Sequence, residues 1–325
     1  MIMQKIKPGY ILDNKYEIKK TVAKGAMGAV FKAEAIDTKE MVALKVPLPG
    51  FDQGLSSLQR FQQAEKIQFF LNHPNIVKAY KPNYEKGFPY VIMEYVDGPS
   101  LEYLINQNRR LTIEDATNYT IQMCNALDYL RQKNVIHHDI KPSNIVINMQ
   151  KQLKLTDFGI SFCQGMEAEI WASLVSIGGT LAYMAPEKIR DHALNDYRSD
   201  IYSLGVLMYH MFTGKMPFNG TTEEVIGAQI TQNFISPSVL NPSITPAIER
   251  VILKAMSPTP NERYQDVSMI KNDLEKAVAM SSRKAKSIKM TLLPEIGIPI
   301  WILYVILGII ILSAVIMIVY VNLHQ

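Results

Sequence analysis

The segment Ile136-His137-His138-Asp139-Ile140-Lys141-Pro142-Ser143-Asn144 puts two imidazoles, a carboxylate, an ammonium and an amide close together, and Asp157-Phe158-Gly159 follows it. Carboxylates and amides carry the oxygen donors that hard divalent cations take, and a carboxylate can also accept a proton. Nearer the start, Lys24-Gly25-Ala26-Met27-Gly28-Ala29-Val30 has the look of a glycine-bearing turn. Missing Cβ atoms there let backbone N–H groups approach an anion closely. Such a turn also closes ordinary hairpins; its place two strands before Lys45 raises it above that reading.

These side chains need a scaffold, and the chain supplies two kinds. Residues 16–47 alternate as a small β-meander, with Tyr16-Glu17-Ile18, Ala29-Val30-Phe31 and Val42-Ala43-Leu44-Lys45-Val46 as extended pieces. Gly54 to Asn72 reads as a helix and Tyr90 to Val96 as a strand closed by Asp97-Gly98. Thr112 and Asp115 then open a capping box, and Ala116, Tyr119, Met123, Ala126, Leu127 and Leu130 recur at helical spacing. Strands first and helices later give an α+β chain in two lobes, joined by the strand that ends near Val96. There is no internal repeat. The one clear linker is at about 279–294, where Ser, Lys and Arg replace the helical pattern before Pro294.

The average composition, 48% hydrophobic and 20% charged with a mean hydropathy of +0.01, conceals a second segment of different character. Ile300 to Val321 is a run of 22 residues in which only Gly308 and Ser313 fall outside the apolar set. As a helix it would span roughly 33 Å, enough to cross a hydrocarbon core of about 30 Å. Trp301, Tyr304 and Tyr320 suit the interfaces, and Arg283, Lys284, Lys286 and Lys289 suit a cytoplasmic flank. The expected topology is single-pass with the N-terminal part inside, because no early apolar run resembles a signal peptide. Those four cations aside, 30 of the 34 basic residues face 29 acidic ones within 1–280, a net +1. So neutral a surface argues against nucleic acid as a partner. Cys124 and Cys163 form no disulfide framework, which fits a reduced setting.

Read together, Lys24–Val30, Val42–Lys45, His137–Asn144, Asp157–Gly159 and Ala185-Pro186-Glu187 occur in the order of a protein kinase, and the chain resembles that family from about Tyr16 to Ala277. Asn72-His73-Pro74-Asn75-Ile76-Val77, Met93–Gly98 and Pro260-Asn261-Glu262-Arg263-Tyr264 resemble its eukaryotic-like (Hanks-type) Ser/Thr branch in bacteria. The implied organisation is an N-terminal extension (1–15) and a bilobal kinase domain (16–278; lobes about 16–95 and 98–278). A basic juxtamembrane linker (279–295), a transmembrane helix (296–321) and a short outer tail (322–325) would follow.

Phosphoryl transfer asks a protein mainly to position groups and neutralise charge. The resemblance implies that Asp139 accepts the substrate hydroxyl proton, that Asn144 and Asp157 hold magnesium (or manganese), and that Lys141 neutralises the γ-phosphoryl. Lys45 would hold the α and β phosphates of ATP. Around the nucleotide it implies Lys24, Gly25, Ala26, Met27, Gly28, Val30, Ala43 and Val146, with Met93 as gatekeeper and the backbone of Glu94 and Val96 at the adenine. The Asp139-x-Lys141 pattern and Gly179-Thr180 before Tyr183 are of the Ser/Thr form. Thr180, Glu187, Asp200 and Arg263 are structural in the same sense: Asp200 braces the loop around Asp139, and Glu187 pairs with Arg263. Protein substrates, a lipid bilayer and self-association through the kinase domain or the apolar helix are the partners implied.

Three positions depart from the pattern. Ala23 replaces the first glycine of the turn, which stiffens it. The helix glutamate that usually pairs with the strand lysine falls at Ala64 by the common interval, while the nearest carboxylate is Glu65. One residue is about 100° around a helix. We assign Glu65 to the pair, with Phe61 and Phe69 on its face; Ile67, Gln68 and Leu71 fit the competing register, with Ala64 inward. Third, His138 stands where regulated relatives carry the arginine that receives a phosphorylated activation segment. Activity is therefore expected to depend little on phosphorylation of Ser161, Ser173 and Ser176, with His138 either a packing residue or a titratable one. Two rival readings remain, a pseudokinase scaffold and a small-molecule kinase. Intact Lys45, Asp139, Asn144 and Asp157 argue against the first, and the full Ala185-Pro186-Glu187 segment against the second.

Overall fold

Alternating burial organises the first part of the chain. The computed structural model describes residues 6–25, 28–47, 66–80, 90–158, 161–163, 181–190 and 196–292, with isolated positions between 304 and 312. Six antiparallel strands, β1 (Ile11–Leu12), β2 (Tyr16–Gly25), β3 (Gly28–Ala35), β4 (Met41–Val46), β5 (Ala79–Tyr80) and β6 (Val91–Glu94), form one sheet in the order β1-β2-β3-β4-β6-β5. Side chains two apart share a face of a strand. Ile18, Phe31, Ala33, Val42, Leu44, Val46 and Ile92 therefore build one core, and Ala43, Val77, Ala79, Val91 and Met93 a second across the sheet. Register pairs Val30 with Lys45 and Ala43 with Met93, so these four side chains lie on the second face. Ile6 and Leu12, read as part of an extension before the lobe, are instead buried in its first core.

The remainder is mostly helical. Its helices are α1 (Leu101–Asn108), α2 (Ile113–Gln132), α3 (Pro186–Arg190), α4 (Arg198–Thr213), α5 (Thr222–Thr231), α6 (Pro237–Leu240), α7 (Pro246–Ala255) and α8 (Val267–Leu292). Between them run two small antiparallel ladders: β7 (Val135–Ile136) with β10 (Phe162–Cys163), and β8 (Ile145–Ile147) with β9 (Leu153–Leu155). The stripe expected along α2 is its buried face, and the Thr112 hydroxyl oxygen caps it by accepting from the Asp115 N–H. The capping box is half formed: the Asp115 carboxylate takes the Thr112 hydroxyl proton rather than a backbone N–H.

Nearly every side chain of α4 is buried, which makes it the central helix of this part. It lies close to α7, where a Cβ on Gly205 would stand 2.9 Å from the Ala255 Cβ and carbonyl carbon. That approach requires glycine.

The chain divides into two compact units, Met1–Ala277 and Val278–Gln325. The residues read as a linker are helical as far as Leu292, because Lys, Arg, Ala and Met are good helix formers and Pro294 comes only after the helix end. Among the described residues no helix is long and apolar enough to cross a membrane. The run Ile300–Val321 lies almost wholly outside them.

Candidate active site

Asp139, Lys141 and Asn144 meet because the chain turns sharply after β7. Pro142–Asn144 forms a single 3₁₀ turn, closed by the Asn144 N–H on the Lys141 carbonyl. The Asn144 amide donates to both the Asp139 carbonyl (2.9 Å) and Asp139 Oδ2 (2.8 Å), which turns its own oxygen away from that carboxylate. Lys141 Nζ sits 2.8 Å from the same Oδ2. Asp139 Oδ1 is buried and has no hydrogen-bond partner among the described residues. A buried acceptor without a donor costs free energy, so this oxygen is the one of the pair left to take a further donor.

The loop's backbone is held from below. Asp200, near the start of α4, accepts from the His137 N–H (2.8 Å) and the His138 N–H (2.9 Å). His138 has φ of 65°, a left-handed conformation that a β-carbon disfavours. Burial raises the Asp200 carboxyl pKa, opposed by nearby His137, by those two N–H groups and by Lys188. The His137 ring packs edge-on to Phe158 and lies 3.2 Å from the Thr156 carbonyl. Ser161 is buried, and its hydroxyl donates to the His137 carbonyl at 3.2 Å. It is therefore a brace for this loop and leaves the set of candidate phosphorylation sites.

Lys45 reaches across from β4 to Asp157, with 2.6 Å between Nζ and Oδ1. Asp157 has φ of 66°. Burial would raise its carboxyl, but the Lys45 ammonium, through charge and hydrogen bond, and more distant His137 and Lys141 bring it from 3.8 down to about 2. It is ionised at any physiological pH.

Glu65, Ala26, Met27 and Thr180 lie outside the described residues. Residues 66–69 are helical, with Ile67, Gln68 and, just beyond, Leu71 buried, while Phe69 is 38% exposed. Gln68 and Leu71, named for the competing register, are thus buried, and Phe69, named with Glu65, is exposed; Ala64 and Glu65 themselves lie outside the described residues. The Gln68 amide donates to the Val77 carbonyl (3.0 Å) and approaches the Met93 sulfur (3.6 Å). Gly28 has a mechanical reason to be glycine, since a Cβ there would lie 2.4 Å from the Val46 carbonyl oxygen. Lys24 is exposed at the strand end that pairs with β3, and Gly25 pairs with Gly28 itself. Val30 and Val96 pack at the edge of the core that holds Ala43 and Met93. Val146 bridges to Ser100 just past the strand that joins the two lobes.

Glu94 carries more than its backbone. Its N–H is used within the fold, on the Lys78 carbonyl (2.9 Å). Its carboxylate accepts from the Lys78 N–H (2.8 Å) and pairs with Lys154 Nζ of β9 at 2.7 Å. That ion pair links sheet to helical part, and no sequence signal marked it, because a lysine in a short strand reads as solvated. Glu187 and Arg263 do meet, bidentately, at 2.6 Å on each oxygen. Arg263 also donates to the carbonyls of Ser257, Pro258 and Arg198, and its side chain is fully buried. A desolvated guanidinium is tolerable only with its donors occupied in this way.

A family model described as the protein kinase domain matches residues 16–276. The chain is 33% identical over 284 residues to a probable serine/threonine-protein kinase of Clostridium perfringens, covering 86% of this chain and 41% of that protein. It is 32% identical over 270 residues to serine/threonine-protein kinase PrkC of Bacillus subtilis, with 83% and 41% covered. For serine/threonine-protein kinase PknB of Mycolicibacterium smegmatis the figures are 31% over 268 residues, with 81% and 43% covered. The chain thus spans about two fifths of the length of these curated relatives.

Proposed function

The chain belongs to the protein kinase domain family, in its bacterial Hanks-type Ser/Thr branch, and from that premise we propose that it transfers the γ-phosphoryl group of ATP to Ser or Thr hydroxyls of proteins. The observation that carries this is the asymmetry of Asp139. Oδ2 is occupied by Lys141 and Asn144, while buried Oδ1 has no partner among the described residues. A substrate hydroxyl donating to Oδ1 would be oriented for attack and would pass its proton there.

The residues present fit magnesium and ATP. Asp157 is ionised and Asn144, whose NH2 is spent on Asp139, keeps its amide oxygen for another partner, the hard donors that magnesium takes alongside phosphate oxygens. When bound, magnesium–ATP supplies the phosphoryl group and offsets its charge. The chain's own residues do the rest. Lys45, already held at Asp157, offers its ammonium to the α and β phosphates, and the N–H groups around Gly25 and Gly28 lie on the same sheet. Lys141, next to Asp139 Oδ2, is placed to meet charge on the group in transfer. Ala43, Val30 and Met93 share one apolar face of the sheet, which together with Val146 would receive the base.

We also infer a single membrane-spanning helix over Ile300–Val321 with the kinase domain cytoplasmic, supported by the uncharged apolar run and the cations before it. One experiment tests both readings. The full chain, in detergent and in sealed inside-out and right-side-out vesicles, receives labelled ATP, magnesium and a generic basic protein, beside Asp157→Asn. Label should enter the basic protein in detergent and in inside-out vesicles alone, and never with the variant. Absence of label in detergent would sink the kinase reading; equal label in both vesicle types would sink the topology.

A further inference from the structure

The buried side chain of Gln229, on α5, has no role in the chemistry described so far. Its Nε2 donates to the carbonyls of Leu181 (3.0 Å), Met184 (3.2 Å) and Ala182 (3.4 Å), three acceptors shared between two hydrogens. Its Oε1 is buried without a hydrogen-bond partner among the described residues. An amide that leaves its own oxygen unsatisfied in order to present both hydrogens to one turn is kept for the turn.

That turn, Leu181–Tyr183 and Met184, has its remaining carbonyl taken as well: Ser203 of α4 donates to the Tyr183 carbonyl at 2.8 Å. The Tyr183 hydroxyl meets His210 Nδ1 at 2.8 Å, and burial holds the His210 pKa down to about 4, so this contact is between uncharged groups near neutrality. Every carbonyl from 181 to 184 is thus engaged by a side chain from another helix. Ser203 stands three residues after Asp200, which grips the backbone just before Asp139. Three residues of helix rise about 4.5 Å. The turn and the backbone just before Asp139 are thereby held by side chains one helical turn apart on α4, which ties the turn to the acceptor that a protein hydroxyl must reach.

We propose that Gln229 is a positioning residue for the protein substrate, acting through the turn 181–184 and not through ATP. The inference rests on the kinase reading above. Replacing the donor amide frees the three carbonyls together, and the turn tied through α4 to the Asp139 loop loses its shape while the nucleotide side, built from other elements, keeps its own. Gln229→Glu sharpens the case. An ionised carboxylate would face three carbonyl oxygens, whereas the protonated acid can still donate once.

The test measures KM for a generic basic protein, KM for ATP and kcat with the full chain in detergent, for wild type, Gln229→Met and Gln229→Glu. The expected result is a KM for the protein raised about tenfold, a ratio equal to ~1.4 kcal/mol, with KM for ATP unchanged. In Gln229→Glu alone, the rise should shrink as pH is lowered from about 8 to about 6. Saturation by ATP shows that each variant is folded; if Gln229→Glu fails there, Gln229→Met decides. Parallel movement of the two KM values, or no change in either, overturns the role of Gln229. A wild-type chain that labels no protein overturns the kinase reading and this inference with it.

Discussion

Replacing Asp200 by asparagine should separate catalysis from stability. The carboxylate now accepts two backbone N–H groups, at 2.8 and 2.9 Å, and an asparagine of the same shape offers one oxygen and one NH2. Whichever way the amide turns, one N–H of His137 or His138 then faces another donor. A hydrogen bond to a charged acceptor is worth about 1.5–3 kcal/mol, and the stranded donor adds to the loss. Against this, burial penalises the Asp200 charge, as its raised pKa shows, and asparagine escapes that penalty. The second effect offsets part of the first, so global stability should fall by only ~1 kcal/mol. The loop does not share in that offset. His138 keeps its left-handed backbone at φ 65° only while both N–H groups are gripped, and Asp139 is the next residue. A displacement of about 1 Å there costs on the order of 100-fold in rate. Urea midpoints and kcat on the purified full chain supply the two numbers. Asp200→Ala, which strands both N–H groups, should instead lose about 2–6 kcal/mol as well as activity. An asparagine variant with kcat within about threefold of wild type would refute the idea that this carboxylate sets the loop's geometry.

Two further outcomes concern the Lys45–Asp157 pair and the activation segment. Asp157 is held at about 2 against an ordinary 3.8, so its pairing contributes stability that is present above about pH 4 and lost as pH falls towards 2. Urea midpoints of wild type and Lys45→Met should therefore differ most near neutrality and converge in acid; a gap that stays constant with pH would count against the pairing. Alanine at both Ser173 and Ser176 should leave kcat intact, and a loss of about a hundredfold or more would show that the activation segment needs phosphate after all. Ser161 does not belong in that test, because its hydroxyl serves the His137 carbonyl.

What could be read in advance was what repeats or keeps fixed spacing. The stripe on α2 and the two-residue alternation in β3 are local periodicities, and burial follows them, whereas β4 is buried on both faces. Lys45, Asp139, Asn144 and Asp157 were legible because motif order survives in sequence even when their meeting, across 112 residues for Lys45 and Asp157, does not. Gln229 and the Glu94–Lys154 pair were not legible. A glutamine on a short helix, or a lysine in a three-residue strand, has the same local signature whether it faces water or clamps a distant turn. The basic segment before Pro294 misled for the opposite reason: lysine and arginine mark a solvated surface, yet they also extend a helix, and α8 continues through them.

The arrangement around α4 gives the His138 departure a physical meaning. Asp200 holds the backbone before Asp139, Ser199 adds a hydroxyl to Glu187 at 3.1 Å, and Ser203 and His210 secure the turn 181–184. All four project from a single buried helix, which ties the backbone before the proton acceptor and the adjoining turn to one element. An arginine at 138 would add a charge to a position that is buried and whose backbone Asp200 already fixes. On the other side of the site two ion pairs, Lys45–Asp157 and Glu94–Lys154, connect the sheet to the helical part alongside the backbone bonds that Asn75 and Val77 make with Leu155. Ion pairs at partly exposed positions exchange with water at little cost. If the rate is controlled, these are the contacts at which a modest free energy is sufficient to change the separation of the nucleotide's anchor from its acceptor.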